Sequence, residues 1–253
     1  MKTKEELLKD LNTEQRKAVE LTQGPVLVLA GPGSGKTRVI TYKVAYLIAN
    51  ELVHPREILA CTFTNKAADE MRERIINLVG DPAKGGVLMG TFHSFCARVL
   101  RKYSSKLGYK TGFVIYDEKD TRNLLKSIIK KYELPVSLER AYRIINLAKS
   151  KYYEDDKIEE FVRSKIGFAQ LYEEYTSELR KANAMDFDDL LINTVKLLIK
   201  FHEIKDTLSF KYILVDEFQD TNYLQFLIVK LLGEKYRNIT CVGDEDQSIY
   251  GFR

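Results

Sequence analysis

The chain has 253 residues, 45% of them hydrophobic and 30% charged, with a formal net charge of +4. That balance suits one large α/β domain, or a domain with an insertion, built round a sizeable core. The apolar runs are too short to span a bilayer, and Lys4, Glu5 and Glu6 lead into no apolar segment of the secretory kind, so a cytoplasmic protein is expected.

Residues 2–20 read as helical, with Leu7, Leu8 and Leu11 apolar and Asn12-Thr13 as a turn and N-cap before Glu14. Gln15 offers one acceptor and two donors, which match the Hoogsteen edge of adenine; taken alone, an exposed helical Gln is far more often surface decoration. Residues 25–41, PVLVLAGPGSGKTRVIT, then read as strand, glycine-rich turn and helix. In such a loop the backbone N–H groups of Gly33, Ser34 and Gly35 turn toward an anion, and the helix N-terminus adds its dipole. Lys36 would reach the β- and γ-phosphates and the Thr37 hydroxyl a Mg²⁺ ion. The first position of the strict pattern, usually Gly, is Ala30, so the looser form is met.

Helix is expected over 36–50, a buried strand over 58–64, helix over 65–79, strand over 87–91 and helix over 93–107. This alternation builds a parallel sheet with right-handed crossovers, whose ligands gather at the carboxyl ends of the strands. Thr62 to Asn65 and Gly90 to His93 lie at two such ends. Between Asp117 and Ala184 the pattern is helical: 117–132, 137–150, 156–164 and 168–181, with charged outer faces. Leu124, Leu125, Ile128, Ile144, Ile145, Leu147 and Tyr172 are its expected core. Residues 101–184 carry 18 basic and 13 acidic side chains, the whole of the chain's positive excess. A phosphate-contacting face and a solvated helical surface account for that charge equally well.

Met185 to Asp189 opens a further helix, with Asp186 as its cap. The sheet resumes at 211–217, KYILVDE, a buried strand ending in two carboxylates. Unpaired buried charge is costly, so the pair needs a role. Beside a phosphate loop, Asp216 would hold Mg²⁺ and Glu217 would orient and deprotonate the attacking water. A last strand over 238–242 leads into GDEDQSIYGFR. There Gln247 can sense a γ-phosphate, while Tyr250 and Phe252 suit base stacking, although by spacing alone such aromatic pairs are more often core. Cys61, Cys96 and Cys241 form no C-x-x-C pair, and the three histidines lack metal-ligand spacing, so buried thiols and no structural metal are expected.

Taken together these segments resemble the UvrD/Rep/PcrA class of superfamily one DNA helicases, in that family's order. LNTEQRKAV is similar to its adenine-reading motif, AGPGSGKTR to its Walker A, and CTFTNKAADEM and GTFHSF to its two single-strand contact motifs. ANAMDFDDLL matches the segment returning from the helical insertion, VDEFQDTN its Walker B, and VGDEDQSIYGFR its motif III. The resemblance implies a P-loop (RecA-like) α/β domain, 1–110 and 185–253, interrupted by an all-helical subdomain, 111–184. It implies ATP and Mg²⁺, hydrolysis stimulated by single-stranded DNA, and 3′–5′ translocation toward duplex/single-strand junctions. Gln15 and Arg38 would hold adenine and nucleotide, Gly33 to Thr37 the phosphates, Thr37 and Asp216 the Mg²⁺. Glu217 would serve the water and Gln247 the γ-phosphate, with Phe63, Asn65, Thr91, His93, Tyr250 and Phe252 along the DNA track. The family often has Trp where Phe252 stands, which keeps a stacking face of smaller area.

That family continues past motif III into a second RecA-like domain, whose arginines close on the γ-phosphate. An arginine supplied across a cleft is worth about 10³–10⁵ in rate in related enzymes. The expectation is therefore an N-terminal piece of a longer helicase that binds nucleotide but turns it over poorly. The alternative is a nucleotide-gated DNA-binding module with no ATPase activity of its own. A small-molecule kinase is a weaker third reading, because GTFHSF and the segment after Asp244 have no use there.

Overall fold

A computed structural model describes residues 3–31, 33–80 and 86–244. They group into two compact units, one drawn from Met1–Phe92, Glu203–Thr221 and Val229–Phe252, the other from His93–His202 and Asn222–Ile228. The expected insertion, 111–184, falls inside the second.

In the first unit, α1 (Lys4–Lys9) and α2 (Thr13–Glu20) each open on a capping box, Thr3 with Glu6 and Asn12 with Gln15. The described residues form a parallel sheet in the order β1-β7-β6-β2-β3, with β1 (Val26–Leu29), β2 (Ile58–Thr62), β3 (Leu88–Thr91), β6 (Tyr212–Val215) and β7 (Ile239–Gly243). Strands β2 and β6 are buried throughout, as a sheet covered on both faces requires. Ile58, Ala60, Met89, Tyr212, Leu214 and Val242 point to one face of the sheet. They share a core with the apolar sides of α1, α2, α3 (Lys36–Ala49) and α4 (Asn65–Val79). Lys43, fully buried in α3, donates to the Ala18 and Leu21 carbonyls at the end of α2. It thereby satisfies orphan carbonyls and fixes α2 against α3.

The second unit is built on α5 (Phe92–Tyr103), α6 (Glu118–Lys131), α7 (Leu138–Lys151), α8 (Asp155–Arg163), α9 (Ala169–Lys181) and α10 (Phe187–Lys200). Asp117 and Ser137 cap α6 and α7. Leu125, Ile128, Ile145 and Tyr172 are buried as expected, whereas Leu124, Ile144 and Leu147 are only half-buried. Two short strands escape the helical pattern: β4 (Val114–Tyr116) pairs in parallel with β5 (Ala184–Asp186). Met185 and Asp186 thus end a strand, and the helix expected from Met185 starts at Phe187. Three residues are too few to display a period of two. Asp186 does cap α10, accepting from the Asp189 N–H at 2.8 Å.

Asp186 also belongs to a buried ionic network. The Lys149 ammonium, from α7, lies 2.6 Å from Asp186 Oδ2 and 2.8 Å from Asp189 Oδ1, and the Tyr175 hydroxyl donates to Asp186 at 2.6 Å. Burial alone would lower the Lys149 pKa, but the two carboxylates outweigh it and hold the ammonium well above its ordinary value. Among the described residues, no helix is long and apolar enough to cross a membrane.

Candidate nucleotide-binding site

The sheet's register brings the site together. Leu29 of β1 pairs with Gly243 of β7, and Cys241 of β7 with Val215 of β6. Ala30, Asp244 and Asp216 therefore emerge close together at the carboxyl edge, although up to 214 positions separate them in the chain. The loop after Ala30 is closed by its own bonds: the Ser34 hydroxyl donates to the Gly31 carbonyl at 2.7 Å. Gly35 sits at φ 87°, a left-handed conformation that favours glycine, and a Cβ there would press on Gln15 Nε2 at 2.8 Å. Helix α3 starts at Lys36 with no side chain capping its first turn, which leaves those amides available to an anion.

Lys36 is 9% exposed; its ammonium donates to Asp244 Oδ2 at 2.9 Å and to the Ala30 carbonyl at 3.3 Å. The Thr37 hydroxyl donates to Asp216 Oδ2 at 2.9 Å. Burial pushes the Asp216 carboxyl above its ordinary pKa and the Glu217 charge adds to this, while the Thr37 hydrogen bond opposes it. Glu217 stands at φ 51°, a left-handed conformation costing about 1 kcal/mol or more in a residue with a Cβ. Its N–H bonds Asp216 Oδ1 at 3.0 Å and its carbonyl accepts from the Asp220 N–H at 3.0 Å. Its carboxylate accepts from Gln219 Nε2 at 2.7 Å, and Gln219 Oε1 accepts from the Asp244 N–H at 3.0 Å.

Gln15, Gly33 to Thr37, Asp216 and Glu217 thus lie in one unit around one loop. Gln15 closes its capping box and donates to the Ser34 carbonyl at 2.8 Å. Arg38 is turned toward α1, donating to the Asp10 carbonyl and lying 5.1 Å from the Tyr42 ring centroid. Phe63 and Asn65 follow β2, Phe63 half-buried and Asn65 exposed at the first turn of α4, and Thr91 ends β3. His93 belongs to the second unit, its ring edge-on to Phe187 at 5.7 Å. Gln247, Tyr250 and Phe252 lie outside the described residues. Asp244 and Gln219 are the partners that reading the sequence misses. Their only signal is position: Asp244 directly follows a buried strand, and Gln219 stands two residues after Glu217.

A glycine-rich loop between strand and helix, facing a strand that ends in carboxylates within a parallel sheet, defines a P-loop, RecA-like nucleotide-binding domain. Residues 11–253 match the family model described as the UvrD/REP helicase N-terminal domain, and the chain belongs to that family. It is 41% identical over 256 residues to the ATP-dependent DNA helicase PcrA of Staphylococcus aureus strain Mu50, and 40% identical over 259 residues to that of Staphylococcus epidermidis strain RP62A. Each alignment covers 98% of this chain, which spans 35% of the length of those relatives.

Proposed function

We propose that this chain is the ATP-binding motor domain of an ATP-dependent 3′–5′ DNA helicase. The observation that carries the reading is the meeting of Lys36 and Thr37, at an uncapped helix N-terminus, with the buried Asp216 carboxylate. The Lys36 ammonium and the α3 amides suit a β,γ-phosphate group. The Thr37 and Asp216 oxygens, 2.9 Å apart, suit neighbouring positions on an octahedral Mg²⁺, whose adjacent oxygens sit about 3 Å apart. Bound there, Mg²⁺ would neutralise charge on the phosphates. Glu217 would orient and deprotonate water, Gln15 would lie toward the base, and Gln247 would meet the γ-phosphate.

Single-stranded DNA and duplex/single-strand junctions are the proposed partners, with Phe63, Asn65, Thr91, His93, Tyr250 and Phe252 along the strand. The proposed division is 1–110 and 185–253 as the RecA-like domain and 111–184 as its helical insertion, with a second RecA-like domain as partner in catalysis. Residues 1–253 on their own should bind nucleotide more readily than they turn it over. Three buried cysteines, none in a disulfide, suit the reducing cytoplasm proposed for it.

Equilibrium titration with a fluorescent ATP analogue and Mg²⁺ tests this. A charge-assisted bond of about 1.5–3 kcal/mol predicts that Lys36→Ala weakens binding about 10–150-fold. Unchanged affinity removes the reading. An oligonucleotide affinity that rises with the analogue while no hydrolysis occurs would favour the nucleotide-gated binding module instead.

A further inference from the structure

Gln219 has no part in the reading above, yet it connects its two halves. An amide side chain has one donor end and one acceptor end. Here Nε2 faces the Glu217 carboxylate, which accepts, and Oε1 faces the Asp244 N–H, which can only donate. The partners fix the amide's orientation, and neither Glu nor a hydrophobic residue can serve both. Space is reserved for it as well: a Cβ on Gly243 would lie 2.9 Å from Gln219 Oε1 and 3.3 Å from the Gln219 N.

We propose that Gln219 is a positioning residue for nucleotide hydrolysis, holding the Glu217 carboxylate in place and linking it to the Lys36–Asp244 ion pair. This rests on the hydrolytic reading of the site. The residue whose carboxylate pairs with Lys36 is the residue whose N–H holds Gln219. A phosphate that draws the Lys36 ammonium from Asp244 therefore acts on the anchor of Gln219, and through it on Glu217. The left-handed backbone of Glu217 makes such a hold necessary, because the aim of its carboxylate depends on neighbours rather than on a relaxed local conformation.

The test compares wild type, Gln219→Ala, Gln219→Glu and Lys36→Ala. It measures affinity for the fluorescent ATP analogue, melting temperature, and hydrolysis of labelled ATP at saturating nucleotide with a single-stranded oligonucleotide present. Misplacing a reacting group costs about tenfold to a hundredfold, so both Gln219 variants should slow hydrolysis by that factor while affinity stays within about twofold of wild type. Gln219→Glu keeps an acceptor for the Asp244 N–H but sets a second carboxylate against Glu217, so its hydrolysis should be no faster than that of Gln219→Ala. A wild-type rate in either variant overturns the proposal, as do losses in affinity that match the losses in rate. Wild-type hydrolysis no faster than that of Lys36→Ala instead removes the hydrolytic reading, and the proposal with it.

Discussion

Each unit buries a lysine against aspartate, and the two are built differently. Lys149 faces two carboxylates, and one of these also accepts from Tyr175. Two carboxylates surround a single positive charge, and the network joins α7 to β5 and α10. Lys36 has one carboxylate, Asp244, and a longer contact to the Ala30 carbonyl among the described residues. It stands at the start of an uncapped helix, where another anion can compete for it. A buried cation held by two carboxylates fastens a fold, whereas one held by a single carboxylate at an uncapped helix N-terminus is suited to exchanging partners.

The sharpest break of this comparison is Lys149→Met, which leaves Asp186 and Asp189 buried without their cation. A loss of about 3–5 kcal/mol is expected in denaturant unfolding. Nucleotide affinity should hold in whatever fraction stays folded. A stable variant with damaged nucleotide binding would reverse the two roles.

Lys43 sharpens the comparison from a third side, since among the described residues its ammonium meets only carbonyls. Burial lowers its pKa to about 8 from an ordinary 10.5. Between those values the unfolded chain binds more protons than the folded one, so this residue makes stability rise as pH climbs from about 8 to 10.5. The rise should be about 1–3 kcal/mol and absent from Lys43→Met. Parallel stability profiles for the two proteins would show that the carbonyls fully offset burial. Smallest of all, Arg163→Ala removes exposed contacts to Glu159 and Glu173 and should cost less than about 1 kcal/mol by thermal melting. A larger loss would mean that exposure is a poor guide to the worth of an ion pair here.

What the sequence shows of this molecule is mostly what is local. The phosphate loop, the Asn12 and Asp186 caps and the helix faces depend on residues within a few positions of one another. The order of the strands is not local: Lys36 and Asp244 meet because β1 pairs with β7, and nothing within either segment announces that pairing. Lys149 reads as one more charge on a helix until β5 and α10 supply its partners. Gln15, read as a base-recognising side chain, is also bound to its own helix cap and to the Ser34 carbonyl, because an amide can serve several neighbours.

The left-handed backbone at Glu217 has a consequence for selection and engineering. Glycine there would relax the chain and should raise stability, while removing the carboxylate at the centre of the proposed chemistry. A search for heat-resistant variants scored on folding alone would therefore drift toward the loss of that carboxylate.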